Sequence, residues 1–440
     1  MNLNIVLLSG GSGKRLWPLS NSIRSKQFIK MLTNEDGEIE SMLTRVYRQI
    51  RAVDPGARIT IATGRKQVST IKNQLGDKVD VCVEPKRRDT FPAICLAAAY
   101  LRDVEGVGEQ EAVVVCPVDP YVQDSYFEAL GELAQMTREE GADLFLLGME
   151  PTYPSEKYGY VIPESPDRVS RVIAFREKPD VETAKGYIAR GALWNGGVFA
   201  FRLGYLLERA RRLIGYADYG KLYANYGELE KISFDYAVAE REKEIRVLRY
   251  GGEWKDLGTW NTFSEAMADY TLGRVTLNET CENTHVVNEL NIPILCMGCR
   301  DMVIAASSDG ILVSDKKQSS YIKPFVDNME QQVMYAEKSW GSFTVLDVQK
   351  DSMTIKIDLL PGHGLHYHSH ELRDEVWTVT GGSGRAVLDG VESKVGPGDV
   401  ISMPAGCRHT VFADTELKII EVQLGENITV EDKHKYPLEG

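Results

Sequence analysis

The sequence of 440 residues predicts an α/β fold with a doubly wound sheet, followed by two β-rich segments. Apolar strand-like runs alternate with helical stretches in the first part of the chain, which is typical of strands joined by crossover helices. Helical signals stop near residue 268, and short β-rich pieces follow. From about Trp340, glycine-rich turns separate further strands, which indicates a compact barrel or sandwich.

The strands and helices of the α/β region can be placed on the sequence. Strands are predicted at 4–9, 58–62, 79–83, 112–117 and 144–148, and the clearest helices at 93–104 and 125–140. Sheets of this kind bind ligands outside the carboxyl ends of their strands. The residues that follow each run are therefore candidates for a functional site.

Composition narrows the class of protein. The chain is too long for a single core, so two or three domains are expected. A formal net charge of −13 argues against a general nucleic-acid binder, although a local basic loop can still hold an anionic substrate. The opening residues carry neither a basic segment nor a long apolar run, and the seven cysteines are scattered. These features predict a cytoplasmic protein with no nucleic-acid partner and no membrane partner.

A glycine-rich loop after the first strand predicts a polyphosphate site. Gly10, Gly11 and Gly13 would let backbone N–H groups approach phosphate oxygens, and Lys14 follows them directly. Arg15 and Lys26 can offset the charge that develops on a leaving pyrophosphate. The loop does not match the P-loop pattern, and a glycine loop that only turns the chain is the alternative.

The loop is the first of a series of motifs that resembles one family. GGSGKRLWPLS and KQF are followed in order by EPKRRDTFPA, CPVDPYV, KYGYVIP, FREKP, WNGGVFAF, SFDYAVAE and WKDLGTW. This series resembles the sugar nucleotidyltransferases, and RLWPLS with KQF resembles their mannose-1-phosphate guanylyltransferase branch. The resemblance implies a Rossmann-like domain that forms GDP-mannose and pyrophosphate from GTP and mannose 1-phosphate with Mg²⁺. A homo-oligomer is left open.

The resemblance also implies roles for individual residues. The family pattern favours Asp119, which follows a strand, and Asp256, which lies in WKDLG, as a pair of Mg²⁺ ligands. The alternative is that each aspartate only stabilises a turn or caps a helix. The implied catalytic residues are Arg15, Lys26, Asp119 and Asp256. The implied nucleotide contacts are Gly10, Gly11, Gly13, Lys14, Arg88 and Asp89, and the implied sugar-phosphate contacts are Gly159, Glu177, Lys178 and Asn195.

Six of the seven histidines lie in the last β-rich segment, among them His363, His366, His368, His370 and His409. Their spacing, together with the glycines around them, resembles both motifs of the cupins. Alternate residues of a strand point to one face, so His368 and His370 can both face a barrel interior, joined by Glu375 and His409. Three imidazoles and a carboxylate suit Zn²⁺, Fe²⁺, Mn²⁺ or Ni²⁺. Two alternatives are left open: a cupin whose metal site is vestigial, and metal binding by His366 with His368 instead of His368 with His370.

The resemblances divide the chain into three parts. They imply a nucleotidyltransferase domain at 1–268, a short left-handed β-helical segment at 269–335 and a cupin β-barrel at 336–440. This order resembles proteins that join a mannose-1-phosphate guanylyltransferase to a type II phosphomannose isomerase. HYHSHELRDEVW departs from the isomerase pattern, so a second mannose-6-phosphate isomerase activity is left open. The alternatives are transfer of another nucleotide or to another sugar phosphate, and a non-catalytic scaffold that senses a sugar nucleotide.

Overall fold

The computed structural model describes residues 3–11, 14–21, 23–139, 142–329, 332–426 and 428–438. The chain divides into two compact units. One consists of Met1–Ser12 with Gln27–Ala268, and the other of Gly13–Lys26 with Asp269–Gly440. The described loop residues 14–21 and 23–26 therefore belong to the same unit as the β-rich C-terminal part of the chain.

The first unit alternates strands and helices, as the sequence predicts. Its strands are Asn4–Leu8 (β1), Leu32–Thr33 (β2), Ile39–Glu40 (β3), Arg58–Gly64 (β4), Asp80–Glu84 (β5), Ala112–Pro117 (β6), Pro120–Val122 (β7), Leu144–Met149 (β8), Gly159–Pro163 (β9), Val169–Arg176 (β10), Leu193–Arg202 (β11), Ile245–Tyr250 (β12) and Trp254–Asp256 (β13). Its helices are Met42–Val53 (α1), Val68–Leu75 (α2), Thr90–Asp103 (α3), Asp124–Glu139 (α4), Val181–Ala189 (α5), Leu203–Ile214 (α6), Tyr219–Asn225 (α7) and Trp260–Ser264 (α8).

The main sheet of this unit is mixed. Its strand order is β5-β4-β1-β6-β11-β8-β12-β10-β9, with β5, β4, β1 and β6 parallel and β11 antiparallel to β6. An additional pairing of β11 with β9 closes the five strands β8 to β12 into a ring. The α/β prediction is confirmed, and the closed ring is a feature that the alternating sequence pattern does not reveal.

Alternation along β1 explains how the sheet is covered on both faces. Ile5 and Leu7 pack into the core cluster that holds residues of α1 and α4, whereas Val6 packs into the cluster that holds residues of α3 and α6. Successive side chains of a strand point to opposite faces, so a continuous apolar run is buried on both sides. Helices therefore lie on both faces and leave the strand ends open to ligand.

The second unit contains a coil of short strands. They are Thr271–Leu272 (β14), Val275–Leu277 (β15), His285–Asn288 (β16), Ile294–Cys296 (β17), Met302–Ser307 (β18) and Gly310–Asp315 (β19). β14, β16 and β18 pair in parallel in one sheet, and β15 and β17 pair in parallel in another. Strands that alternate between parallel sheets form a β-helical coil. One short helix, Lys323–Asp327 (α9), follows it, although the sequence shows no helical signal there.

The C-terminal part of this unit is a two-sheet barrel. Its strands are Tyr335–Lys338 (β20), Gly341–Val348 (β21), Ser352–Leu359 (β22), His368–Ser369 (β23), Asp374–Gly381 (β24), Gly384–Leu388 (β25), Val391–Val395 (β26), Val400–Met403 (β27), His409–Ala413 (β28), Leu417–Leu424 (β29) and His434–Lys435 (β30). They form the sheets β20-β21-β22-β29-β24-β27 and β26-β25-β28-β23-β30. Trp377, Val411 and Ile419 are buried in its core, which confirms the predicted barrel.

Among the described residues, no helix has both the length and the apolar character that crossing a bilayer requires.

Candidate active site and metal centre

A cavity of about 690 Å³ lies at the carboxyl ends of the strands of the first unit. Gly10 and Gly11 after β1, Glu84 at the end of β5 and Asp119 after β6 all line it. This is the position where open α/β sheets bind their ligands. A smaller adjoining cavity of about 180 Å³ shares Asp119 with it.

The two aspartates that the sequence proposes as a pair lie against the same cavities. The short strands β7 and β13 pair antiparallel, and their register sets Asp256 opposite Pro120, the neighbour of Asp119. Both aspartates line the larger and the smaller cavity, and both are partly exposed. Strand pairing between distant parts of the chain therefore brings the two carboxylates to one place.

The cavity lining carries charges of both signs. Its carboxylates are Glu84, Asp89, Asp119, Asp235 and Asp256, and its cationic side chains are Arg87, Lys178 and Lys231. An excess of carboxylates would repel a triphosphate unless cations accompany it. Mg²⁺ takes one or two carboxylates together with substrate phosphates and several waters. Partly exposed Asp119 and Asp256 fit that requirement.

An aromatic wall borders the smaller cavity. The ring of Tyr158 lies 5.0 Å from that of Trp194 and 5.3 Å from that of Trp254. Burial raises the pKa of the Tyr158 hydroxyl, and the charges of Asp256 and Asp119 raise it further. Tyr158 therefore stays neutral beside the carboxylates and can donate a hydrogen bond.

The predicted sugar-phosphate residues lie together. Asn195 Nδ2 donates to Asp235 Oδ1 at 2.6 Å, and Asn195 Oδ1 accepts from the Gly197 N–H at 3.0 Å. The β11–β8 register shifts between Asn195 and Phe199, which is the bulge that turns this part of the strand toward the cavity. Asp235 begins a π-helical turn over Asp235–Ala239. Burial, together with the Glu177 charge, raises the pKa of Asp235 to about 6.

Gly159 makes room for the Glu177 carboxylate. A Cβ at Gly159 would lie 2.4 Å from Glu177 Oε2, closer than two such atoms can approach. Lys178 forms an ion pair with Glu177, and Lys178 adopts a positive φ of 44°. The Glu177 carboxylate therefore contacts both its neighbour Lys178, in the motif FREKP, and Gly159, in the motif KYGY. The sequence alone does not reveal this proximity.

The predicted nucleotide contacts separate in the structure. Gly10, Gly11 and Asp89 line the cavity, whereas Gly13 lies outside the described residues. The side chain of Arg88 instead donates to the carbonyl of Gly227, and its neighbour Arg87 lines the cavity. The structure thus does not place Arg88 against the cavity, because the chain turns there and α3 begins at Thr90.

The remaining predicted loop residues belong to the second unit. Arg15 is exposed, and Lys14 Nζ lies 2.6 Å from Asp327 Oδ1. Lys26 begins a short 3₁₀ turn, Lys26–Phe28. Gln27, the next residue, is part of the first unit and donates to the Ser9 carbonyl at 3.2 Å.

Several residues that line the cavity were not predicted as site residues, although they lie in the family motifs. Glu84 and Arg87 belong to EPKRRD, and Asp235 belongs to SFDYAVAE. Tyr226 Oη donates to Glu84 Oε2 at 2.8 Å, and burial raises the pKa of Glu84. A buried acidic residue at a strand end is the signal that could have identified Glu84.

The barrel holds a compact group of metal-ligand types. His368, His370, Glu375 and His409 are each 2% exposed, and one ligand atom from each lies within 4.8 Å of all the others. His366 is exposed and does not belong to the group, although it is the rival in sequence. His368 and His370 therefore lie in this group, and His366 does not.

Backbone carbonyls orient all three rings. His368 Nδ1 lies 2.6 Å from the His366 carbonyl, His370 Nδ1 lies 2.7 Å from that of Asp432, and His409 Nδ1 lies 3.1 Å from that of Cys407. A carbonyl can only accept, so Nδ1 of each ring carries a proton. Nε2 faces the rest of the group, with His370 Nε2 and His409 Nε2 each 3.1 Å from a Glu375 oxygen and Arg373 Nη2 3.2 Å from His370 Nε2. This arrangement is typical of imidazoles that bind a metal through Nε2. The donor set therefore fits a divalent transition metal.

Further charged groups surround the four ligands. Arg373 Nε donates to Glu375 Oε1 at 2.9 Å, and Gln423 Nε2 donates to the same oxygen at 3.1 Å. Burial raises the pKa of Glu421 to about 7, and burial lowers the pKa of Lys433. The barrel interior thus contains ionisable groups next to the proposed metal ligands.

Comparison with known proteins agrees with this arrangement. Residues 4–272, more than half of the chain, match the family described as nucleotidyl transferase. The chain belongs to the nucleotidyl transferase family. Residues 356–423 match the cupin domain family, in the region of the barrel.

Two relatives match this chain over nearly its full length. The chain is 27% identical to a mannose-1-phosphate guanylyltransferase of Escherichia coli K12, and the match covers 97% of this chain and 96% of that protein. It is 28% identical to the xanthan biosynthesis protein XanB of Xanthomonas campestris, with the same coverage of both proteins. A crystal structure described as a mannose-1-phosphate geranyltransferase from Thermus thermophilus superposes with a TM-score of 0.62 at 29% identity. The superposition covers 75% of this chain and 100% of the Thermus thermophilus chain.

Proposed function

We propose that this protein forms GDP-mannose and pyrophosphate from GTP and mannose 1-phosphate. The observation that carries the proposal is the pair Asp119 and Asp256, which line one cavity at the strand ends of a nucleotidyl transferase fold. The names of the full-length relatives support the choice of substrates. A sensing scaffold would not need this pair of carboxylates beside cationic side chains.

The proposed reaction is an in-line displacement at the α-phosphorus of GTP. A phosphate oxygen of mannose 1-phosphate forms the new P–O bond, and the bond to the departing pyrophosphate breaks. Bound Mg²⁺, held by Asp119 and Asp256, would neutralise phosphate charge. Gly10 and Gly11 would offer backbone N–H groups to the triphosphate, and Arg15 and Lys26 would offset charge on the leaving pyrophosphate.

Two groups are suited to the guanine and phosphate ends of the nucleotide. Glu84 lies beside Gly10, with Oε1 3.6 Å from where a Cβ at Gly10 would lie. A carboxylate can accept two hydrogen bonds from the N1–H and N2–H groups of guanine, a pair of donors that adenine and uracil do not present together. Among the cations, Arg87 rather than Arg88 is the candidate for a phosphate contact, since Arg87 lines the cavity.

The sugar phosphate would bind near the bulge of β11. Glu177 and Asn195 are the hydrogen-bonding groups for sugar hydroxyls, and Lys178 is the cation for the phosphate. Asp235 holds the Asn195 amide and so fixes the direction in which the amide presents its oxygen. Specificity for one sugar then depends on buried polar groups that a wrong sugar would leave unpaired.

Pyrophosphate release from a panel of nucleoside triphosphates and sugar 1-phosphates tests this proposal. We expect release with GTP and mannose 1-phosphate in the presence of Mg²⁺, and at least about tenfold less with ATP, UTP or glucose 1-phosphate. Chelation of Mg²⁺ should abolish release. An equal rate with another pair would reassign the substrates, and no release with any pair would reject the transferase function.

A second activity is proposed for the barrel. His368, His370, Glu375 and His409 would hold a divalent Zn, Fe, Mn or Ni ion, and such an ion would polarise the carbonyl of an open-chain sugar phosphate. Glu421 is buried in the same barrel and Lys433 is half-buried, and both are available to hold or release a proton during isomerisation. Metal analysis and an assay for conversion of mannose 6-phosphate to fructose 6-phosphate test this. A barrel that binds metal without converting either sugar would reject the isomerase role.

Other expectations from the sequence stay predictions. They are the cytoplasmic location, the homo-oligomeric state, the lack of nucleic-acid and membrane partners, and domain limits at 268 and 335.

A further inference from the structure

The loop segment 14–26, which carries Arg15 and Lys26, packs against the β-helical segment 269–335 in the second unit. The loop segment contains little regular structure of its own, with a 3₁₀ turn at Lys14–Leu16 and another beginning at Lys26. Long cationic side chains on such a segment have no fixed direction unless other residues hold the backbone. The contacts made by the β-helical segment supply that restraint.

The strongest contact is a bidentate ion pair. Arg24 Nη1 lies 2.7 Å from Glu289 Oε2, and Nη2 lies 2.9 Å from Oε1. Glu289 follows β16 directly, and the two side chains are 14% and 30% exposed. The Arg24 guanidinium also lies 5.3 Å from the centre of the Tyr335 ring. Two parallel hydrogen bonds fix orientation as well as distance, and partial burial reduces screening by salt.

A second contact organises the turn before Arg24. Asn21 Oδ1 accepts from the N–H groups of Ile23 at 2.8 Å and Arg24 at 2.7 Å. Its amide nitrogen donates to Asp309 Oδ2 at 2.7 Å and to the Tyr335 carbonyl at 3.0 Å. Asn21 thus shapes the turn and ties it to the hairpin between β18 and β19.

A third contact holds the start of the segment. The Trp17 ring lies against Gly310, where a Cβ would be 2.5 Å from ring atom Cζ2. Gly310 also has a φ of 149°, so this position requires glycine. Ser307 Oγ donates to the Pro18 carbonyl at 2.8 Å. The segment is therefore held at three points by Glu289 after β16, by Ser307 of β18 and Gly310 of β19, and by Asp309 between those two strands.

We propose that the β-helical segment positions the transferase loop, with Glu289 as a positioning residue that acts through Arg24. Holding residues 14–21 and 23–26 in one conformation restricts the backbone from which the Arg15 and Lys26 side chains extend. This inference rests on the proposed function, in which those two cations contact the triphosphate. Preorganised charges stabilise a transition state far better than charges that must first be ordered.

The test compares Glu289→Ala with Glu282→Ala in the full-length protein. Glu282 is the matched control, because it lies in the same β-helical segment and pairs only with the exposed Arg300 among the described ion pairs. We expect Glu289→Ala to lower kcat for GDP-mannose formation about 10- to 100-fold with little change in the KM for mannose 1-phosphate. Glu289→Gln, which keeps the shape and one acceptor, should lose less. Glu282→Ala should retain the unmodified kcat.

Hydrogen exchange separates positioning from general destabilisation. In Glu289→Ala, amide exchange should become faster in residues 14–26 and stay unchanged in β16 and β18. Loss of protection throughout the β-helical segment, or an unchanged kcat in an otherwise active enzyme, would overturn the positioning role alone. If the unmodified protein released no pyrophosphate with any triphosphate, the proposed function itself would fail, and this inference would fail with it.

Discussion

The strand-end cavity and the barrel cluster both gather carboxylates with other polar groups, yet they differ in how closed they are. Asp119 and Asp256 are partly exposed beside about 690 Å³ of open space. The four ligand-type residues of the barrel are each 2% exposed and lie within 4.8 Å of one another. An open site suits a metal ion that arrives with its phosphate substrate, whereas a closed site suits an ion that stays in the protein.

The cavity and the barrel cluster also differ in the groups that contact their polar side chains. All three barrel imidazoles are oriented by backbone carbonyls, so the cluster keeps one geometry without substrate. In the cavity, charges of both signs face the open space and can reorganise around an anionic ligand. The two regions should therefore respond differently to substitution.

The largest effect is expected from removing one cavity carboxylate. Asp256→Ala should lower kcat for GDP-mannose formation by about 10³-fold or more, because it removes one of the two carboxylates proposed to hold Mg²⁺. Arg15→Ala should have a similar effect. Glu253→Ala is the control, since Glu253 is exposed on the approach to β13 and pairs with Lys255 at 2.8 Å. Near-normal turnover of Asp256→Ala would remove it from the catalytic site.

The next effect tests the independence of the two sites. His409→Gln should reduce bound transition metal from about one ion per chain to less than about 0.1, because it removes a ligand from a closed site. GDP-mannose formation should stay within about twofold of normal. His366→Gln, an exposed neighbour outside the cluster, should keep its metal. Mass spectrometry measures the metal content of both variants. Loss of metal from His366→Gln would instead favour His366 and His368 as the ligand pair.

A smaller effect is expected from filling the space at Gly159. Gly159→Ala places a Cβ 2.4 Å from Glu177 Oε2 and so displaces that carboxylate. We expect the KM for mannose 1-phosphate to rise about tenfold while the KM for GTP stays the same. Gly186→Ala in α5, where a Cβ meets nothing within 4 Å, is the matched control. A rise in the KM for GTP alone would place Gly159 at the nucleotide instead.

The smallest effect concerns stability and pH. Burial raises the pKa of Asp235 to about 6, above its usual value, so the contribution of this group to stability is present below about pH 4 and is lost as pH rises through about 6. Asp235→Asn removes the cost of burying the charge. The variant should gain about 1–2 kcal/mol over the unmodified protein at pH 8 and little at pH 4. Denaturant unfolding at both pH values measures this, and a gain that does not depend on pH would contradict it.

Much of the fold could be predicted because local chemistry determines it. The apolar run at β1, the glycines after it and the helices α3 and α4 follow from periodicity and turn residues, which act over short distances in the chain. The cupin spacing likewise predicts that His368, His370 and Glu375 face one interior, although β23 and β24 lie in different sheets of the barrel. The closed ring of β8 to β12 could not be predicted, because pairing of β11 with β9 depends on register between separated strands.

By itself, the sequence determined the order of the motifs, the residue types that a phosphate site and a metal site require, and the alternation that buries each strand. Only the tertiary structure decided that Asp119 and Asp256 share a cavity, that Arg87 and not Arg88 faces it, and that His370 joins the cluster while His366 does not. The physical reason is that residue type and periodicity are local properties. Convergence depends instead on which distant strands pair and on where each turn points a side chain.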